Sequence, residues 1–516
     1  MIKNTILVFL LAAVLSSAVS AQMTGRPIIR DSIYSNILKE ERMLEIVMPA
    51  DYLPGQAART GVIYVTDGEW NTGIVSNIQQ FLEIQFSPRH IIVGIDDAPR
   101  GKGNLRFRDL TPTHPAGDDA SSGSGGGEAF LAFMTKELMP YINGKYANNN
   151  KNILFGASLG GLFGMYALLK EPNAFMAYLL ADPSFWWDGN SLQHVAKEKL
   201  GSLPDSSKFL FIAGRTGEPL RGMGDLGMDS VLAAQARGSL HWKSVAYSDE
   251  THNSMIFRTM YDGLKFIYWG YYAGRNLGFR PANGFVLKDK PVTVHCMNDN
   301  FSDIYYTTDG STPTTASTPL TSDTIQVTGG TKLTLKAICN QAEYDNTLGG
   351  NFPLSPVFPT VARPRSAQPG GLRYDYYLLK DSTDLTHAKP VFSGLADSAF
   401  ILGKMDDPEK YDCVFSGFVT IPESGYYIFA CNSWGASKLW LGKQLIIDQP
   451  DTDHLSFESC IVPLDKGFYP IRSEHVLKQG QQKMELYYIT PAGLARGSGP
   501  MRIPWQALYA AKEAGN

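Results

Sequence analysis

Between Leu44 and Phe266 the chain repeats one pattern: a short apolar run, a turn of Gly, Asp or Ser, and then a longer stretch of helical character. The runs are GVIYVTD (61–67), HIIVGID (90–96), NILFGAS (152–158), KFLFIAG (208–214) and WKSVAYS (242–248), with AYLLA (177–181) a sixth of the same kind. Strands that are apolar on both faces must be covered on both faces, so the alternation predicts an α/β domain with a mostly parallel sheet under helices. Such open sheets place their chemistry at the C-terminal ends of the strands, where these turns lie.

The chain has 516 residues, too many for one core, and a prior of about 150 residues per domain suggests roughly three. After about Arg280 the pattern changes to short runs of Thr, Tyr, Val and Ser between Asp-Gly, Gly-Gly and Pro turns, which reads as β-sandwich material. Pro364–Gly371 (PRSAQPGG) reads as a linker between two such modules. The expected organisation is a signal peptide over 1–21, the α/β domain over 22–278, sandwiches over 279–363 and 372–516, and the linker over 364–371. One tract of low complexity, Ser121–Gly127 (SSGSGGG), reads as a mobile loop near the site.

Met1–Ala21 has a lysine, an apolar run and small residues ending in Val19-Ser20-Ala21, the form of an export signal cleaved before Gln22. Its apolar stretch is shorter than the ~20 residues a membrane span needs, so a periplasmic or secreted location is expected. A net charge of -4 gives no basic surplus for nucleic acid or anionic membranes. All five cysteines (Cys296, Cys339, Cys413, Cys431, Cys460) lie in the C-terminal half, which removes thiolate and zinc-thiolate chemistry from the α/β domain. Cys296 and Cys339 end two strand-like runs, VTVHC and LTLKAIC, where an exported chain could bridge them.

A serine hydroxyl becomes a useful nucleophile only when a base takes its proton and donors hold the oxyanion that forms. Gly156-Ala157-Ser158-Leu159-Gly160 has the spacing of a sharp strand-to-helix turn that presents a serine, between the apolar NILF and the helix-forming GLFGMYALLK. The pentapeptide alone is weak, because a chain this rich in Gly and Ser yields roughly a third of one such match by chance. Its context makes Ser158 the candidate nucleophile.

The base should follow in the order Ser, acid, His. His252 in DETHNSM, just past WKSVAYS, fits best. His241 precedes that strand, His194 lies in a helical segment, His90 opens a strand and His114 sits among prolines. The acid is expected after KFLFIAG, in RTGEPLRGMGDLGMDS, with Glu218 first, Asp225 second and Asp229 also eligible; a Ser/His dyad without a fixed acid stays open. The backbone N–H of Leu159 and one from the loop Gly68-Glu69-Trp70, assigned to Glu69, are the expected oxyanion donors. Trp70, Trp186 and Trp187 are candidates to wall an acyl or sugar pocket, and Arg108 to bind substrate. No cofactor and no metal are called for.

With SNILKEERMLEIVMPADY, VIYVTDGEW, IIVGIDD, RFRDLTP, FGASLGGLFGMYALL, DPSFWWD and ETHNSM, the segment from Ile33 to about Ala273 resembles the putative-esterase family of α/β-hydrolases, which includes feruloyl, acetyl and enterochelin-esterase-like enzymes. The resemblance implies Ser158 as nucleophile and His252 as base, and leaves the acid open because members differ. It also marks Asp182, before PSFWW, as a departure from the serine or other small residue common there. Phe285–Phe358, with YYTTDGSTPT and LTLKAICN, resembles the immunoglobulin-like module of chitobiases and hexosaminidases, a spacer in many settings. Leu372–Ala510, with FSGFVTIPESGYYIFACNSWGASKLWLGKQLIID and LDKGFYPIR, is similar to the protective-antigen-type sandwich. Sugar-binding members carry an Asp-Asp pair near calcium; Asn432-Ser433-Trp434-Gly435 lacks those carboxylates, so Trp434 and Trp440 are the remaining candidates for sugar contact.

The leading expectation is therefore an exported esterase acting on feruloyl or acetyl esters of carbohydrates. A second is a siderophore or other small-ester hydrolase, for which Arg106, Arg108, Arg215 and Arg221 would supply a basic pocket. A third, of another class, is a glycan-binding or adhesion protein on a hydrolase scaffold.

Overall fold

The computed structural model describes residues 26–117, 123–298, 303–378, 389–396, 411–451, 454–477 and 484–510. The expected signal segment 1–21 lies outside them, as do Ser121 and Ser122 of the glycine-rich tract. The described residues form two compact units, one within 26–272 with 339–343, the other within 273–338 and 344–510.

The first unit holds one eight-stranded sheet in the order β1-β2-β4-β3-β5-β6-β7-β8. Its strands are β1 (Ile29–Ser35), β2 (Glu40–Val47), β3 (Thr60–Val65), β4 (Arg89–Ile95), β5 (Asn152–Ala157), β6 (Ala177–Ala181), β7 (Lys208–Arg215) and β8 (Leu240–Tyr247). β1 and β2 pair antiparallel, β2 is antiparallel to β4, and from β4 to β8 every pair is parallel. The expected runs are all strands, and the central ones are buried on both faces: every residue of β3 and β6 is inaccessible.

Helices α1 (Gly68–Leu82), α2 (Arg106–Leu110), α3 (Leu159–Lys170), α4 (Trp187–Lys199), α5 (Glu218–Gly222), α6 (Asp225–Gln235) and α7 (Met255–Ile267) follow the strands. Left-handed residues Asp188–Asn190 interrupt α4. The sheet face carrying Val62, Tyr64, Leu154, Leu180 and Leu210 packs with Leu162, Phe163 and Leu168 of α3 into one core. The end of the glycine-rich tract is anchored rather than loose: the amides of Gly125, Gly126 and Gly127 donate to Thr111 Oγ1, Arg108 O and Thr111 O.

The second unit is built of β-sheets. One set pairs Val292–Cys296 with Thr324–Val327 and Phe279–Arg280, and Thr331–Ala337 with Ile304–Thr307 and Asn346–Phe352. The other is dominated by the long pairs Tyr411–Ile421 with Gly467–Leu477 and Gly425–Trp434 with Leu455–Leu464. Alternation along these strands fills a separate core of Tyr427, Phe429, Leu439, Val462, Ile471 and Leu486.

Two expectations need correction in this unit. The stretch 364–371 is not a free linker, since Gln368–Pro369 pairs with Tyr509–Ala510 and Ala367 is buried. Cys296 is a free, buried thiol whose pKa burial pushes up to about 12, so its bridge to Cys339 is not formed. The candidate sugar contacts are both half-buried: Trp434 packs against the core, and the Arg472 guanidinium lies 4.5 Å from the Trp440 ring centre.

Candidate active site

β5 runs directly into Ser158, whose φ of 58° and ψ of -115° put a non-glycine residue in left-handed space at the head of α3. That strained corner turns the hydroxyl out of the sheet. It is tied on both sides: Ser158 N–H donates to Ala181 O of β6 (2.9 Å), and Thr66 N–H donates to Phe155 O (3.1 Å). The flanking glycines are required by contact. A Cβ on Gly156 would stand 2.1 Å from the backbone oxygen of Gly160, and one on Gly160 would stand 2.2 Å from Thr66 Oγ1.

The same approach brings the head of α3 against the head of α1. Leu159 and Glu69 both lie in the first turn of a helix, where N–H groups have no acceptor within the helix. Asp67 caps α1 in left-handed conformation and takes Arg106 Nε on its Oδ1. Arg106 Nη2 also donates to Ala157 O (3.3 Å), one residue before Ser158. The Glu69 side chain turns away to accept from the Asp97 amide at 3.0 Å. Burial first, then the charges of Asp67 and Glu69, push the Asp97 carboxyl up to about 8.

His252 lies in the turn between β8 and α7, its side chain 40% exposed, and its Nδ1 stands 2.5 Å from Asp182 Oδ2. Asp182 follows β6 directly, is fully buried, and has a φ of 43°. Arg215 at the end of β7 places Nε 2.7 Å from the same oxygen. The carboxylate facing the imidazole therefore comes from β6, not from the segment after β7.

Glu218, expected first, is exposed at the start of α5 and makes no hydrogen bond or ion pair among the described residues. Asp225, expected second, is buried at the start of α6 against Gly214, with neither oxygen hydrogen bonded among the described residues. Burial, then the charges of Asp182 and Asp229, push its pKa up to about 8. Asp229 accepts from Ser244 Oγ at 3.1 Å. The sequence did hold a signal for Asp182: a carboxylate directly after a fully apolar strand, where a small residue is common.

Ser158 Oγ has its side-chain hydrogen bond with Ser184 Oγ, at 3.2 Å, rather than with His252. Around the strand ends, Trp70 is 75% exposed and Trp186 47%, whereas Trp187 is buried with Nε1 donating to Thr113 O. Trp187 therefore supports the wall instead of facing a ligand. Half-exposed Phe107, which the sequence did not single out, packs on Trp187 with ring centres 6.1 Å apart.

Arg108 is likewise committed elsewhere. It holds Glu40 at 2.5 and 3.1 Å and Asp109 at 2.7 Å. Of the other histidines, His90 is buried against the Tyr268 hydroxyl and pushed by burial down to about 3, while His194 and His241 are exposed. Among the described residues no group of three or more His, Cys, Asp or Glu could hold a metal ion, and no helix is long and apolar enough to cross a membrane.

With this geometry in hand, likeness to known proteins takes on meaning. Residues 35–231 match the family described as Putative esterase, residues 281–347 the chitobiase/beta-hexosaminidase C-terminal domain, and residues 396–500 the PA14 domain. Among curated proteins, the siderophore triacetylfusarinine C esterase of Aspergillus fumigatus is 28% identical over 167 residues, covering 31% of this chain and 56% of that protein. The siderophore enterobactin esterase of Emericella nidulans is 35% identical over 91 residues, 17% of this chain and 30% of that protein. The chain thus spans about half or less of the length of these relatives. A solved IroE-like serine hydrolase of Shewanella oneidensis is 30% identical, with a TM-score of 0.41, over 48% of this chain and 81% of that one. The α/β unit of this chain belongs to the putative-esterase family, and it is followed by a chitobiase/β-hexosaminidase C-terminal-type domain and a PA14 domain.

Proposed function

We propose that the protein is a serine carboxylic-ester hydrolase in which Ser158 attacks the ester carbonyl, His252 takes its proton, and Asp182 orients the imidazole. The observation that carries this is the 2.5 Å contact of His252 Nδ1 with the buried Asp182 carboxylate, on the sheet edge that presents Ser158 in a strained turn. A carboxylate on Nδ1 leaves Nε2 to act as base and offsets the positive charge the ring acquires. The amides of Leu159 and Glu69 stand at helix N-termini and serve as oxyanion donors. The acyl-enzyme is then cleaved by water with His252 in the same role.

For the substrate, the relatives named for siderophore esters support a small siderophore-type ester. The charge near the site narrows this. Arg106 is matched by Asp67, Arg108 by Glu40 and Asp109, and Arg215 by Asp182, so of the four arginines only exposed Arg221 lacks a carboxylate partner among the described residues. Such a rim suits an uncharged ester with a planar or apolar acyl group against Trp70, Phe107 and Trp186 better than a strongly anionic iron complex. A feruloyl or acetyl ester on a carbohydrate is the second reading, favoured by the appended modules. The Met1–Ala21 segment supports export to a periplasmic or extracellular location.

The test is a hydrolysis panel on the full chain: an uncharged siderophore triester, a ferric tricatecholate, and feruloyl and acetyl oligosaccharides, with Ser158→Ala as blank. The uncharged triester should turn over fastest, and Ser158→Ala should lose at least about 1,000-fold. Preferred turnover of the ferric complex would overturn the charge argument. Full activity in Ser158→Ala would overturn the mechanism.

A further inference from the structure

The turn after β6 serves two groups at once. Asp182 meets His252, and two residues later Ser184 meets Ser158. Ser184 is 2% exposed, and backbone bonds fix it on both sides: its N–H donates to Ser158 O (3.0 Å), and its carbonyl accepts from Trp187 N–H (3.1 Å). Between them Pro183 abuts the head of α3, where a Cβ on Gly161 would stand 2.8 Å from the proline ring. The Ser184 hydroxyl is therefore held 3.2 Å from the Ser158 hydroxyl by the fold and not by its own rotamer alone.

We propose that Ser184 is a catalytic residue whose hydroxyl donates to Ser158 Oγ during acyl transfer. The proposal rests on Ser158 being the nucleophile. A hydroxyl has one proton to give and can accept two. The Ser158 proton must go to His252, so the proton joining the two serines is that of Ser184. As His252 Nε2 removes the Ser158 proton, negative charge grows on Oγ. A buried donor already in place meets that charge without reorganisation. Oγ then bonds to the ester carbonyl carbon, and the carbonyl π pair moves onto its oxygen. As that pair returns, the bond to the alcohol oxygen breaks and the alkoxide takes the proton from His252, after which water adds to the acyl carbon and gives a proton to His252. When the acyl-enzyme breaks down, the C–Oγ pair returns to Oγ, which recovers its proton from His252. Ser184 keeps its own proton throughout and assists both the formation and the departure of the charged oxygen.

The test compares wild type, Ser184→Ala, Ser184→Thr and Ser158→Ala in the full chain, using a fluorophosphonate probe and a short aryl ester. Ser184→Ala removes one oxygen and keeps the amide that clamps Ser158. Its labelling rate and kcat should fall about 10- to 100-fold, with KM within about threefold and the melting temperature unchanged, and Ser184→Thr should regain most of the loss. Labelling and kcat within about twofold of wild type in Ser184→Ala would overturn the proposal. So would a loss that Ser184→Thr does not relieve, which would assign Ser184 to packing. Absence of labelling at Ser158 in the wild type would instead bring down the serine-hydrolase reading itself, and this proposal with it.

Discussion

Asp182 and Asp225 show how burial alone does not settle what a carboxyl does. Both are all but inaccessible, yet Asp182 has Arg215 and His252 on one oxygen while Asp225 has no hydrogen-bond partner among the described residues. Asp182→Asn should therefore lower kcat/KM by about 1,000-fold or more, since an amide cannot offset the imidazolium and can hold the ring in the wrong tautomer. Glu218→Gln, altering an exposed side chain, should stay within about twofold; steady-state kinetics on one ester checks the pair. Asp225 predicts a pH effect. Its carboxyl is raised from 3.8 to about 8, so the unfolded chain loses this proton first as pH rises, and the stability the neutral group confers is present below about 4 and lost as pH rises to about 8. Asp225→Asn should accordingly melt like wild type near pH 4 and several degrees higher at pH 8, as read by thermal denaturation across that range.

At the scale of elements, the α/β unit places its chemistry by crowding loops at the ends of β3, β5, β6 and β8. The turn at Ser158 depends on how closely backbone can approach backbone. Gly156→Ala would set a methyl 2.1 Å from the Gly160 carbonyl, a neighbour that cannot rotate away, whereas Gly160→Ala meets the movable Thr66 hydroxyl at 2.2 Å. Gly156→Ala should cost about 1–3 kcal/mol or more and abolish fluorophosphonate labelling, and Gly160→Ala should be the milder of the two; denaturant midpoints and labelling distinguish them. The turn of Asp182–Ser184 is the other such element, since it meets base and nucleophile together.

For the whole molecule, each unit has its own core. The site residues all lie in the unit of 26–272 with 339–343, to which the sequence contributes one cysteine, the buried Cys339. A core truncation in the other unit should separate stability from chemistry. Phe429 is 1% exposed among Tyr427, Val462 and Leu486, so Phe429→Ala should cost about 3–5 kcal/mol in that core. Turnover of a short aryl ester at low temperature should stay within about twofold, with calorimetry and kinetics on the same sample as the check.

The sequence by itself determined what is local. Alternating apolar runs and helical stretches specify a parallel sheet because each strand must be covered on both faces, and all six expected runs are strands. The glycine spacing around Ser158 and the polar turn holding His252 were legible because neighbouring residues define them. Tertiary structure decided whatever depended on residues far apart in the chain. Asp182 and His252 are 70 residues apart, and only the order of β6, β7 and β8 in the sheet brings them together. Which tryptophan faces solvent and which arginines are spent on carboxylates were set by packing across the strand ends. No local pattern encodes a partner contributed by another strand.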